Sequence, residues 1–233
     1  KGIVPVLKFN HQLARLKFFV RAGSESAAGY KYEASNWVER KSTDGQDKTL
    51  GMQVTKITLK DMVNVVDMDL ATTTSARNGA STAPFVVCSK DVDNKNKLDP
   101  DKGLITPVVP KYPYGHENIP AEGDPDAKGT QVGEPVMFFP NGNINLSIDL
   151  KQYVEDTKDE TDGDKITYKE VEKLDTPLII DQSKISKDVK EFKAGASYNV
   201  YITIYGFEKI EVTAVLTAWE DGGDIETDIE DGK

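Results

Sequence analysis

The sequence predicts an all-β fold of antiparallel strands. Three observations carry this: apolar residues recur at every second position in several segments, helix-starting signals are scarce, and no strand–helix–strand rhythm appears. A helical reading of the alternating segments would scatter their apolar side chains around every face.

Along the chain, Leu16, Phe18 and Val20 form the first alternating set, and Ile57 with Leu59 the second. Val66, Met68 and Leu70 form a third, with Asp67 and Asp69 turned outward. Residues 71–135 hold most of the prolines and much of the glycine, and only Phe85-Val86-Val87-Cys88 reads there as a strand. The stretch is therefore expected to be a long loop insertion. Such a loop is unusual in a compact domain, so it is either a functional surface or a sign that the domain divides differently.

Beyond it, Ile144, Leu146, Ile148 and Leu150 interleave with Asn145, Ser147 and Asp149. The acidic run from Glu155 to Asp164, with Asp162-Gly163-Asp164, reads as a hairpin tip. Ser186, Asp188, Val189 and Phe192 are spaced to cap and face one short helix before Gly195. Tyr198, Val200, Ile202 and Ile204 share one face, as do Ile210, Val212, Ala214, Leu216 and Ala218. With a turn at Gly206, the last two segments predict an antiparallel hairpin.

The last fourteen residues carry seven acids. Such a run reads as a solvated, disordered tail. A second reading rests on Ile225-Glu226-Thr227-Asp228-Ile229-Glu230, where β-branched residues hold the odd positions and acids the even ones, as in a strand with one face meant for burial.

The chain has 233 residues, 38% of them apolar and 29% charged, enough for a sizeable core in one or two domains. Thirty-nine acids against twenty-nine bases, a net charge of −10, repel phosphate backbones and anionic lipid, and no local basic patch offsets them. No nucleic-acid partner is expected. The longest uncharged stretch, Pro135 to Ile148, has 14 residues. That is short of the ~20 a membrane-spanning helix needs, so no transmembrane segment is expected. Cys88 is the single cysteine, so no intrachain disulfide can form. The start, Lys1-Gly2-Ile3-Val4-Pro5, has no basic region followed by an apolar one, and the expectation is that an upstream segment has been removed.

Catalytic chemistry finds little material. His11 and His116 are the only histidines, and no Gly-x-Ser-x-Gly elbow surrounds a serine, so the supply for a His-dependent triad is limited. His11, between apolar neighbours on an expected strand, reads as a core or turn residue, and His116 sits on a loop. Two histidines and one cysteine spread over the chain give no zinc spacing. Residues 91–102 are rich in oxygen donors but fail the EF-hand test, with Lys95 fifth, Asn96 where glycine belongs and Lys102 where a bidentate glutamate belongs. No carboxylate pair stands out for sugar hydrolysis. The chain is expected not to be an enzyme and to need no cofactor or metal. Tyr30, Tyr32, Trp37, Tyr112 and Tyr114 could offer flat faces to a sugar or a partner. Asn145-Leu146-Ser147 matches a glycosylation sequon at chance level.

Four patches, in order, carry a resemblance: Phe9-Asn10-His11-Gln12-Leu13-Ala14-Arg15-Leu16, Val54-Thr55-Lys56-Ile57-Thr58-Leu59, Met137-Phe138-Phe139-Pro140, and Phe192-Lys193-Ala194-Gly195-Ala196-Ser197-Tyr198 running on to Trp219. Together they resemble the fimbrillin-like proteins that Gram-negative gut and oral anaerobes display on their surface. The resemblance implies a pilus subunit of two transthyretin-like β-sandwich domains, made as a lipoprotein, trimmed by a protease after a basic residue, and polymerised by strand exchange. The Phe-x-His patch usually opens the second sandwich of such proteins. Here it lies nine residues from the start, and no lipid-accepting cysteine precedes it. The chain is therefore expected to be one C-terminal-type sandwich over 1–233, with the insertion at about 71–135, an acidic tail at 220–233 and an N-terminal domain missing upstream.

A sandwich lacking one strand exposes unpaired backbone groups and an apolar groove until a neighbour fills it. Ile225, Thr227 and Ile229 are the expected donor face, since period-2 spacing places them together while Glu226, Asp228 and Glu230 stay in water. The expected function is thus a structural or adhesive subunit of an extracellular fimbria. Its partners would be other pilus subunits and host or bacterial surface glycans or proteins. The alternative is a carbohydrate-binding sandwich domain presenting Trp37, Tyr112 or Tyr114 to glycans.

Overall fold

The computed structural model describes residues 11–23, 29–33, 36–48, 50–63, 66–69, 74–77, 82–89, 129–140, 142–159, 165–185 and 190–217. They form twelve strands: β1 (Ala14–Ala22), β2 (Tyr30–Glu33), β3 (Asn36–Glu39), β4 (Gln53–Val63), β5 (Val66–Asp69), β6 (Thr74–Arg77), β7 (Thr82–Ser89), β8 (Thr130–Phe138), β9 (Ile144–Asp159), β10 (Lys165–Ile180), β11 (Ser197–Ile204) and β12 (Ile210–Thr217). No α-helix occurs among the described residues; one 3-10 turn, Gln182–Lys184, follows β10. Of the short helix expected from Ser186 to before Gly195, residues 186–189 lie outside the described residues, and 190–194, with Phe192, are not helical.

The strands make two four-stranded sheets, ordered β12-β11-β1-β8 and β10-β9-β4-β7, with β2-β3 and β5-β6 as separate two-stranded ribbons. The inner faces of the two large sheets share one core, and the fold is an all-β sandwich. Leu16, Phe18, Val20, Tyr198, Val200 and Ile202 come from the first sheet, and Val54, Ile57, Leu59, Leu146, Ile148 and Leu150 from the second. All twelve are essentially inaccessible, and each such side chain contributes roughly 1.5–3 kcal/mol through burial. β10 approaches β12 along one flank and β7 approaches β8 along the other.

Alternation in β1, β9 and β11 matches this core face residue by residue, and β11 and β12 form the expected antiparallel hairpin. One pairing departs from the antiparallel expectation: β1 runs parallel to β11, from Arg15 opposite Ser197 to Ala22 opposite Ile204. Its outer face is held by matched cross-strand pairs. Arg15 Nε donates to Ser197 Oγ at 3.1 Å, Arg21 Nε donates to Thr203 Oγ1 at 2.8 Å, and Phe19 stacks on Tyr201 at 5.4 Å between ring centroids.

The interval expected as a loop insertion holds the one strand expected in it, Phe85 to Cys88, within β7, and more strand besides. Within the interval 71–135 lie β6, the whole of β7 and the first part of β8, and β7 pairs with β4 as a full member of the second sheet. β9 and β10 are 16 residues each and pair from Ile180 opposite Ile144 out to Lys165 opposite Asp159. β4 accompanies β9 only as far as Gln53 opposite Lys151, so the outer halves of β9 and β10 continue as a two-stranded ribbon. Residues 40–48 and Leu50 brace it: Tyr168 Oη lies 3.2 Å from Thr43 Oγ1, and Gln152 Nε2 donates to the Leu50 carbonyl at 2.9 Å. Between Asp159 and Lys165, Asp162-Gly163-Asp164 lies outside the described residues. His11 is exposed just before β1 and is not on a strand. It packs its Cβ 3.5 Å from where a side chain on Gly195 would begin.

The described parts of three of the four patches meet in space. Gly195 N donates to the Leu13 carbonyl at 2.8 Å and Arg15 N to the Ala196 carbonyl at 2.9 Å. Phe192 stands edge-on to both Phe138 and Tyr198. The fourth patch, within β4, faces them from the opposite sheet.

Candidate functional site: the free edge of β12

A sandwich has four lateral edges, here β7, β8, β10 and β12, and each presents backbone donors and acceptors to solvent or to another chain. Three are blunted. β7 carries Pro84, which has no N–H to offer, and its register with β4 shifts twice. β8 holds Gly133 at φ +66 and Pro135 within nine residues. β10 is broken by a register shift at which Asp175 sits at φ +50, followed by Pro177.

β12 has none of these devices. Its eight residues, Ile210 to Thr217, contain no proline and no glycine, and they pair with β11 without a register shift. No strand among the described residues pairs with its outer side. Val215 and Leu216 are 44% and 43% exposed on it, so apolar surface accompanies the open backbone. Alternation had placed Leu216 on the inward face. At the end of an edge strand that face runs out of partners, and only Ala214 is fully buried among the described members of the expected set, Ala218 lying outside the described residues.

The start of the strand is polar: Glu211 accepts the Tyr205 hydroxyl at 3.0 Å, and Lys209 Nζ stands 4.0 Å above the Tyr205 ring. Its end is tied inward, with Thr217 Oγ1 donating to the Ser197 carbonyl at 3.2 Å. Lys173, on neighbouring β10, donates to the Phe207 carbonyl at 2.8 Å and pairs with Glu208 at 3.1 Å, fixing the turn that leads into β12.

The expected recognition residues are distributed differently. Trp37 lies on β3, opposite Tyr32 of β2, away from both large sheets' pairing. Tyr112, Tyr114, His116, the run Asp91 to Asp101, and the donor residues Ile225, Thr227 and Ile229 lie outside the described residues. The sequence reading did not single out Val215 and Leu216 together. Whether a strand is an edge depends on topology, and adjacent apolar residues near its end were the available signal.

Three titratable groups away from this edge are shifted by their surroundings. Cys88, 5% exposed on β7 and opposite Ile57, has its thiol pushed up to about 12 by burial. Its nucleophilic thiolate is therefore suppressed. Asp44 is held down at about 2, chiefly by the Ser42 hydroxyl and then by the Gln46 N–H and the Lys48 ammonium. The Asp175 carboxyl is lowered first by Lys60, 2.7 Å away. Among the described residues no three His, Cys, Asp or Glu side chains converge as a metal site, and no helix is long and apolar enough to cross a membrane.

No family model matches the chain, and no curated protein matches it. The resemblance to fimbrillin-like proteins therefore stands on the four sequence patches. Among solved structures, a "putative cell adhesion protein" from Bacteroides uniformis is similar, with a TM-score of 0.39 and 13% identity over 90% of this chain and 52% of that one, so this chain spans about half of that protein's length.

Proposed function

We propose that this protein is a structural or adhesive subunit of a cell-surface fimbria, joined to its neighbours by strand addition along β12. The observation that carries the reading is the contrast among edges: β7, β8 and β10 are interrupted, while β12 is continuous and exposes Val215 and Leu216. Edges left open in this way template pairing with another chain. The proposed occupant is the segment Ile225 to Glu230 of a second copy, whose odd positions are apolar or β-branched and whose even positions are acidic. Added at β12, it would lay Ile225 and Ile229 beside Val215 or Leu216 and leave its acids in water.

Magnitudes set the character of such a joint. Backbone hydrogen bonds contribute about 0.5–1.5 kcal/mol each, and each buried isoleucine about 1.5–3 kcal/mol. A six-residue strand supplies a total of the same order as the ~4–15 kcal/mol that association costs. Assembly should therefore depend on concentration.

The test is sedimentation and negative-stain microscopy of the full chain across a concentration series, beside the double variants Val215→Lys/Leu216→Lys and Ile225→Asp/Ile229→Asp. Higher-order species are expected for the parent and monomers for both variants. A parent that stays monomeric throughout, or variants that assemble like it, would overturn the reading.

A further inference from the structure

A cleft of about 380 Å³ opens at one end of the sandwich, between the last residues of β4, the first of β9 and the segment that leaves β8. Lys60, Asp61, Thr82, Asn143 and Asn145 supply its polar groups, and Phe139 is a half-buried aromatic wall. None of them belongs to β12, so the cleft is independent of the assembly reading.

We propose that this cleft binds a neutral saccharide. Part of the polar set is already positioned. The Lys60 ammonium is held by Asp175 at 2.7 Å, and Asn143 Oδ1 accepts from Gln182 N at 3.1 Å, which leaves the Asn143 amide group to donate. The side chains of Asp61 and Asn145 make no hydrogen bond or ion pair among the described residues. Asp61 sits at φ +50, where two residues of β4 bulge between the partners of Phe85 and Ala83. Aspartate tolerates that conformation better than most residues.

The composition of the cleft selects the ligand class. Two carboxamides, a hydroxyl and a carboxylate offer paired donors and acceptors, which is what vicinal hydroxyls need, and an aromatic wall meets the C–H face of a sugar ring. Phosphate and sulfate are disfavoured, because Asp61 repels them and the one cation is engaged by Asp175. The protein's net charge of −10 disfavours acidic sugars in the same way. The volume lies at the small end of ligand sites, suited to one or two rings.

The test is saturation-transfer NMR and calorimetry of the full chain against a panel of neutral and sialylated mono- and disaccharides, with Asp61→Gly, Asn145→Ala and Val215→Lys/Leu216→Lys beside the parent. Asp61→Gly removes the carboxylate at a backbone conformation that glycine accepts, and Asn145→Ala changes an exposed side chain. Neutral sugars should bind the parent, and each cleft variant should weaken them about threefold to tenfold, the loss of one hydrogen bond. The β12 variant should bind as the parent does. No binding of any neutral sugar, binding of the sialylated sugars alone, or affinities unchanged in both cleft variants would overturn the proposal.

Discussion

Tyr198 accepts the backbone N–H of Lys193 on its hydroxyl at 2.8 Å while its ring stands edge-on to Phe192 at 4.9 Å. One side chain thus fastens the chain that enters β11 to the strand itself. Phe192 in turn meets Phe138 edge-on at 5.2 Å, so the entry to β11 is joined to the end of β8. The hydrogen bond and the aromatic ladder can be separated by mutation. Tyr198→Phe keeps the ring and leaves the Lys193 N–H without its acceptor, at a cost of about 1–3 kcal/mol. Phe192→Ala opens the ladder and should cost about 3–5 kcal/mol. Urea unfolding should show that order, and equal losses from the two would mean that the ladder is not the stronger tie.

Close approach between the sheets makes a second prediction at Gly133. A Cβ there would begin 2.4 Å from the Val87 carbonyl oxygen, backbone that cannot swing aside, and its φ is +66. Gly45 has a comparable φ of +78 but open space around it. Gly45→Ala therefore meets only the left-handed penalty of roughly 1–2 kcal/mol. Gly133→Ala meets that penalty and must also push β8 away from β7. Thermal melts should rank Gly133→Ala well below Gly45→Ala, and equal melting temperatures would show that the β7–β8 flank yields freely.

These contacts show what the amino-acid order could disclose. Ile144, Leu146, Ile148 and Leu150 were legible as a strand because one face is buried, and burial is what writes period 2 into a sequence. The parallel pairing of β1 with β11 was not legible, since alternation is identical in parallel and antiparallel strands. Lys165 to Lys173 were hidden for another reason: in a two-stranded ribbon wetted on both sides, no face requires apolar residues. Gly133 and Pro135 read as turn material, yet an edge strand tolerates both. The side of β12 that no described strand pairs with and the cleft beside Asp61 arise from which strands become neighbours, and local spacing does not record that.

The loop that braces the β9–β10 ribbon should respond to acid. Asp44 is lowered from 3.8 to about 2 by the Ser42 hydroxyl first, then by the Gln46 N–H and Lys48. A carboxyl with a depressed folded value stabilises the fold above its unfolded value. That stability is lost as pH falls through the folded value. The relevant window runs from about pH 4 down to about 2. Asp44→Asn should flatten the dependence of melting temperature on pH across that window, and a slope identical to the parent's would rule out Asp44 as a contributor.

Cys88 offers a probe of how the β7 edge opens. Its thiol is 5% exposed, faces the core opposite Ile57, and is pushed up to about 12 by burial. The folded protein should therefore resist a thiol reagent at pH 8, and labelling must wait for β7 to separate from β4. Edge strands open with less free energy than the centre of a sheet. Among the described residues β7 pairs on one side only, through a register that shifts twice. The labelling free energy should accordingly fall below that of global urea unfolding. Alkaline pH acts in the same direction, because the unfolded thiol ionises near 9 while the folded one stays neutral to about 12, so stability from this group is lost as pH rises through that interval. Immediate labelling of the native protein would show that Cys88 is not sealed. Labelling that tracks global unfolding would show that β7 opens only with the whole sandwich.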